Sequence, residues 1–366
     1  MLSKFFYYLK KTDWLLTITT VLLVCIGLAV LYSISVNQEA PDLSRFNRQL
    51  VFAVAGIILM LIFSAIDYRM FNSYRTIFFV VGIVLLLAVL VFGQTIRGST
   101  RWFNFFGQTF QPVEIMKLFL TIYLSGYLAL HARNFWQAKH IIISGLLVFG
   151  TAALVALEPK VGYAIIFILL WLIILPILKI KTSHLIIVIL ILAAITAVSW
   201  FLVFEEYQKE RILTFLDPQR DPLKSGYNVT QSMIAVGSGQ ILGRGLGLGP
   251  QSQLNFLPEQ ETDFIFSVIA EEMGLIGVTV ILVIYALLFY RMWLAARETR
   301  DNFALFFIVI TFILFFIQIF VNVGMNIGLL PVTGIPLPLL SAGGSSLIIT
   351  LVSLGIIQSI IARSKA

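Results

Sequence analysis

Cysteine occurs once in the 366 residues, as Cys25 inside an apolar run. No internal disulfide can form, and no thiolate cluster can hold a metal. Histidine occurs three times, as His131, His140 and His184, without the paired spacing of a zinc hydrolase. Charged residues make up only 12% of the chain, about half their usual share, which excludes a soluble fold of ordinary composition. In a soluble protein the net charge of +7 would point to nucleic acid. Here the placement of the charges matters more, and no nucleic-acid partner is expected. No repeat of fixed period, low-complexity tract or linker divides the sequence, so residues 1–366 are read as one membrane domain.

What the chain does have is apolar length: 59% hydrophobic residues and a mean hydropathy of +0.98. A helix needs about 20 apolar residues to cross roughly 30 Å of hydrocarbon, and about ten such runs are present. Runs of that length exclude a barrel and predict an all-α integral membrane protein. The expected spans are Trp14–Ser35, Gln49–Ile66, Ile77–Gly93, Glu114–Ala132, Ile141–Leu157, Val161–Leu178, His184–Phe204, Met273–Trp293, Ala304–Val323 and Ser345–Ile361. Lys10 and Lys11 before the first run resemble a signal peptide, but the run is too long and lacks a small-residue cleavage site, so it is read as a retained span. With a cytoplasmic N-terminus, the inside segments carry fourteen Lys and Arg against four acids. That bias places both termini in the cytoplasm. The longest polar segment, 205–262, then lies outside between the seventh and eighth spans. It opens on an interfacial helix near Glu205–Arg211, and the rest reads as loop.

The stretch Leu254–Gly277 places Glu259, Glu261, Asp263, Glu271 and Glu272 where an aromatic and aliphatic run enters the bilayer. Ionisable groups at membrane depth cost a few kcal/mol unless paired or wetted, so five carboxylates at one entrance point to a site. Asp263 is the candidate for its chemistry. Two readings stand side by side: a base whose pKa is raised by partial burial beside Phe264 and Phe266, or an N-cap for a helix beginning at Phe264.

Three other stretches are candidates for the same site. In the outer loop Gln94–Phe110, Arg97, Arg101 and Trp102 read either as an interfacial belt or as a guanidinium grip on an anionic headgroup. In Gln111-Pro112-Val-Glu114-Ile-Met-Lys117, Glu114 and Lys117 share a helical face. They either neutralise each other, or Glu114 holds Lys117 toward phosphate. Asn326–Ser346 contains many helix breakers and no charge, the mark of irregular backbone lining a cavity at membrane depth. The glycines of Gly243–Gly249 read as flexibility or close approach to a ligand.

Phe256-Leu-Pro-Glu259 with Thr262-Asp-Phe-Ile-Phe266 and Glu271-Glu272, together with Gln111–Lys117 and Pro331-Val-Thr-Gly-Ile-Pro-Leu-Pro338, resembles the SEDS (shape, elongation, division and sporulation) family of bacterial peptidoglycan polymerases over essentially the whole chain. The resemblance implies an inverting glycosyltransferase of the plasma membrane, its site facing outward, that joins lipid II into a lipid-linked glycan strand and releases undecaprenyl diphosphate. It implies Asp263 as the base, and Arg97, Arg101, Trp102, Glu114, Lys117, Arg211, Glu259 and Glu271 at the substrate. It also implies a class B penicillin-binding protein and other elongation-machinery proteins as partners, among membrane lipids. No cofactor is required by the motifs; a divalent cation, Mg or Mn, is compatible with the carboxylates, though spacing establishes none. Two positions depart from the family pattern. Lys160 stands where an Asp is usual, in Glu158-Pro-Lys-Val-Gly162, and Ala342 stands where a Tyr is common. A flippase or secondary transporter is the rival class, since intramembrane carboxylates and broken helices also mark transport paths. A noncatalytic scaffold for wall synthesis is a third.

Overall fold

The computed structural model describes residues 11–36, 42–96, 99–105, 108–135, 137–158, 161–202, 204–217 and 225–364. Arg97 and Lys160 lie outside them. Among the described residues nine helices are long and apolar enough to cross a membrane, and a shorter apolar helix makes a tenth. In order these are α1 (Trp14–Val36), α2 (Ser44–Ala65), α4 (Arg75–Phe92), α5 (Pro112–His131), α6 (Ala138–Ala156), the shorter α7 (Val161–Ile177), α8 (Thr182–Leu202), α12 (Ile265–Glu298), α13 (Asn302–Asn326) and α14 (Gly344–Ser364). The short α3 (Arg69–Ser73) bridges α2 and α4.

Local chemistry sets several helix starts. Pro112 occupies the first turn of α5, where its missing N–H costs nothing, and Glu114 faces the positive end of the helix dipole. Asp301 caps α13 by accepting from Phe303 N at 2.8 Å.

The segment Gln94–Phe110, read as a loop, holds a small antiparallel sheet, β1 (Gln94–Ile96), β2 (Ser99–Phe105) and β3 (Gln108–Phe110), with Phe103 opposite Phe110. Alternation of rings and polar residues suits a pleated ribbon, but two short hairpins give too weak a period to stand out beside twenty-residue apolar runs. The sheet packs on α4, α5 and α14.

Segment 205–262 is largely helical. The expected interfacial helix is α9 (Glu206–Leu216), closed by a capping box between Glu205 and Gln208. The stretch read as loop after it forms α10 (Ser225–Ser238), which packs on α12, where Ser232 Oγ meets Ser267 Oγ at 2.6 Å, followed by the single turn α11 (Pro250–Gln253). Burial of one apolar stripe overrides the glycines and serines that favour loop.

The helices sort by company. α13 packs against α5, α7, α10, α12 and α14, and α14 against α2. In contrast, α8 has no buried residue. At the end of the bundle holding both termini, Arg291 of α12 pairs with Asp13 at 2.7 Å and Glu298 at 3.2 Å. There Gln358 holds the backbone of Asp13 through both its N–H and its carbonyl. Arg363 Nη2 donates at 2.7 Å to the carbonyl of Ala65, at the C-terminus of α2, where a cation suits the helix dipole.

Helix α12 is broken rather than continuous. Gly274 adopts φ 62, ψ −165, and a Cβ there would stand 2.3 Å from Gly243 N. The amides left over, Leu275 N and Ile276 N, donate to the carbonyls of Gln240 and Ile241 at 2.9 and 3.1 Å. The carbonyls of Glu271 and Glu272 accept from Arg244 N and Gly245 N, both at 2.9 Å. Loop 240–245 is thus spliced into the helix ladder, which meets the demand that buried backbone groups be paired. Gly243 and Gly249 approach α12 closely, at the Glu272 backbone and the Glu271 carboxyl. The predicted span Met273–Trp293 lies almost wholly beyond this break, and Ile265–Met273 is an added half-helix leading away from Asp263.

Candidate active site

The five carboxylates of the organising stretch do not form one cluster. Glu261 pairs with Arg45 at 2.9 Å. Glu272, 1% exposed, accepts from Ser33 Oγ at 2.7 Å and Gly247 N at 3.0 Å. Glu271, expected at the substrate, is fully buried and accepts from Gln251 N at 2.8 Å and Ser252 N at 3.1 Å. A buried carboxylate needs such donors, and here they come from the first turn of α11, so Glu271 holds the loop. Glu259 is exposed and adopts φ 50, with its carbonyl accepting from the amides of Thr262, Asp263 and Phe264. That tight turn delivers Asp263, half-buried, to the edge of α12. Among the described residues no three metal-ligating side chains converge, so the dispersed carboxylates do not fit a protein cage for a divalent cation.

The capping reading places Asp263 at the N-cap, and the structure puts Phe264 there instead. Helix α12 starts at Ile265 with Phe264 as its N-cap, without a side-chain cap. The Asp263 carboxylate faces the proline-broken loop 331–338, where Oδ2 lies 3.5 Å from the place a Cβ on Gly334 would occupy. The loop is fastened on several sides: Tyr285 OH donates to Pro338 O, Leu337 N donates at 2.8 Å to Ser341 Oγ, which itself donates to Thr262 O at 2.6 Å, and Arg211 Nη1 of α9 donates to Val332 O at 3.4 Å. Arg211, Val332 and Val229 line a shallow surface pocket.

From this loop the contacts run on to the Glu114 and Lys117 pair. Gly162, at the start of α7, packs so closely on Thr333 that a Cβ would stand 2.5 Å from its carbonyl oxygen. Beside Gly162, Tyr163 donates its hydroxyl to Glu114, and Glu114 pairs with Lys117 at 2.8 Å, the two side chains 2% and 3% exposed. Neutralisation of the pair is therefore realised. An ammonium has three donors, so the pair does not exhaust Lys117. Glu158, at the end of α6, is buried, and Gln111 N donates to Ser345 Oγ at 3.2 Å, pinning the start of α5 to the start of α14. The backbone of Arg101 and the half-buried Trp102 lie on β2, beside α5. Ala342 N donates to Glu261 O at 2.8 Å, a contact that needs no side chain at that position.

Two residues with no signal of their own in the sequence reading belong to this site. Asn322 and Asn326 of α13 both donate to the Asp263 carbonyl, at 3.0 and 3.1 Å. Their one-turn spacing inside an otherwise apolar helix was the available clue.

A bundle of apolar helices that gathers a half-buried aspartate, a proline-broken loop and a buried acid–lysine pair at one end defines a multi-pass membrane protein with an embedded polar site. The family model of the FtsW, RodA and SpoVE cell cycle proteins matches residues 13–366, and the chain belongs to that family. It is 35% identical to the peptidoglycan glycosyltransferase MrdB of Escherichia coli strain K12, over 97% of each chain. It is 33% identical to the stage V sporulation protein E of Bacillus subtilis, over 97% of this chain and 99% of the relative. Among solved structures it is similar to a chain of a peptidoglycan synthase complex described as coordinating polymerization and crosslinking, with TM-score 0.80 and 30% identity over 96% of this chain and 98% of that one. The rod shape determining protein RodA of Thermus thermophilus matches with TM-score 0.70 and 27% identity, over 96% and 97%.

Proposed function

We propose that this peptidoglycan glycosyltransferase joins lipid II units into glycan strands at the outer face of the bacterial plasma membrane, with Asp263 as the base. Its carboxylate takes the proton of the acceptor sugar hydroxyl. The freed oxygen pair bonds the anomeric carbon of the other lipid-linked sugar, whose bond to diphosphate breaks with inversion, and undecaprenyl diphosphate leaves. The observation that carries this reading is the run of contacts from Asp263 through Gly334 and Thr333 to Gly162, Tyr163, Glu114 and Lys117. It joins a carboxylate to a buried cation through a loop that is irregular enough to admit a substrate.

Cations preorganised where phosphate charge develops lower the barrier, and Lys117 and Arg101 take that role, with Arg97 and Arg211 as further cations. Trp102 and Glu259 complete the substrate-facing set. By its likeness to a chain of a synthase complex, the protein works with a class B penicillin-binding protein that crosslinks the strands.

The test is purified protein in detergent with labelled lipid II, resolving the products by length. Strand synthesis needs no sealed compartment, whereas transport does. Only unit-length lipid II after incubation, with the partner transpeptidase present, would remove the polymerase reading for this chain.

A further inference from the structure

The amide of Asp263 donates to Glu259 O at 3.2 Å. Its carbonyl lies outside the ladder of α12, because Ser267 N turns to Phe264 O at 3.0 Å. Helix α13 supplies donors to that carbonyl. Asn322 and Asn326, both fully buried and one turn apart, point amide groups at that carbonyl from 3.0 and 3.1 Å.

A carboxamide nitrogen has two hydrogens, and Asn322 uses both. The second goes to Ile335 O at 2.8 Å, the residue after Gly334. One side chain therefore ties the backbone carrying Asp263 to the loop backbone that its carboxylate faces. Asn326 is itself held: its oxygen accepts from Ser267 Oγ at 2.6 Å and Ser267 N at 3.2 Å, and its second hydrogen goes to Asn322 O at 2.8 Å. Amide and carbonyl of Asp263 are thus both fastened.

We infer that Asn322 and Asn326 are positioning residues for the Asp263 carboxylate, and that Asn322 sets its spacing to the Gly334 wall. The inference rests on Asp263 being the base. Neither asparagine touches the substrate in this scheme; both act through the backbone of Asp263.

The test compares Asn322→Ala, Asn326→Ala and Asp263→Asn in the purified full chain with labelled lipid II, with rates expressed per folded molecule. Misplacing a reacting group by about 1 Å can cost on the order of a hundredfold, so kcat should fall about tenfold to a hundredfold in Asn322→Ala. A smaller fall, about threefold or more, is expected for Asn326→Ala, which leaves one amide on the carbonyl. KM for lipid II should stay within about twofold in both, because the substrate contacts are untouched. A merely structural role would lower yield and melting temperature while leaving kcat per folded molecule intact. If Asn322→Ala fails to fold, Asn326→Ala decides. A kcat within about twofold of wild type in the folded variants, or a loss that falls on KM, overturns the inference. With Asp263→Asn inactive, that result removes the positioning role alone. An active Asp263→Asn removes the base assignment, and this inference with it.

Discussion

Gly334 turns with φ +69 directly opposite Asp263, leaving 3.5 Å between Oδ2 and the place its missing Cβ would take. Two demands meet at one glycine. The backbone needs a left-handed conformation, and the carboxylate needs open space beside it.

Gly334→Ala should therefore cost about 1–2 kcal/mol in stability, from the left-handed penalty. It should also lower polymerisation more than that loss explains, because the added methyl occupies the face that Asp263 uses. Thermal unfolding in detergent and strand synthesis measured on one preparation separate the two effects.

Asp263→Asn should fold with a melting temperature close to wild type, since Asn has nearly the same size and the residue precedes the Phe264 N-cap of α12. Loss of a general base costs typically about 10²–10⁴-fold in rate, so strand synthesis should fall by that range. Gel analysis of labelled lipid II products checks it, and wild-type strands from this variant would move the base elsewhere.

The Glu114 and Lys117 pair is nearly sealed from solvent. Removing one partner of a buried pair leaves the other charge uncompensated, so Glu114→Gln and Lys117→Met should each destabilise by about 3–5 kcal/mol. The double variant should recover much of that stability and none of the activity. Recovery of both would make the pair purely structural.

Gly274→Ala brings a Cβ to 2.3 Å from Gly243 N and demands a positive φ from alanine. Strain at such a position costs about 1–3 kcal/mol before the clash is counted. The spliced loop 240–245 should then detach from α12, read as faster proteolysis within that loop. Unchanged cleavage and melting temperature would mean that the break does not depend on this glycine.

The spans were readable from the sequence because length and apolarity are local properties. The structure moves most ends by a few residues, with α12 the larger exception. What failed were segments whose state depends on partners. α10 reads as loop from its glycines and serines and becomes helix because α12 covers one side of it. The 94–110 segment reads as a loop and becomes a sheet because α4, α5 and α14 offer a floor.

The site divides in the same way. Asp263, Glu114 and Lys117 stood out in the sequence because charge inside an apolar chain is costly and therefore conspicuous. Glu271 stood out for the same reason and proved to hold a loop, since a carboxylate that grips backbone amides looks no different in sequence from one that meets a substrate. Asn322 and Asn326 carried no charge to mark them.

The sequence by itself determined that this is a polytopic helical membrane protein of the peptidoglycan polymerase family, with Asp263 as its candidate base, because hydropathy and contiguous motifs need no knowledge of neighbours. Only the tertiary structure decided which carboxylates are tied up by backbone amides, that Gly162 and Gly334 bring distant motifs together, and that α13 holds the Asp263 backbone. Hydrogen bonds between residues far apart in the chain leave no periodic trace along it, so their geometry appears only once the helices are packed.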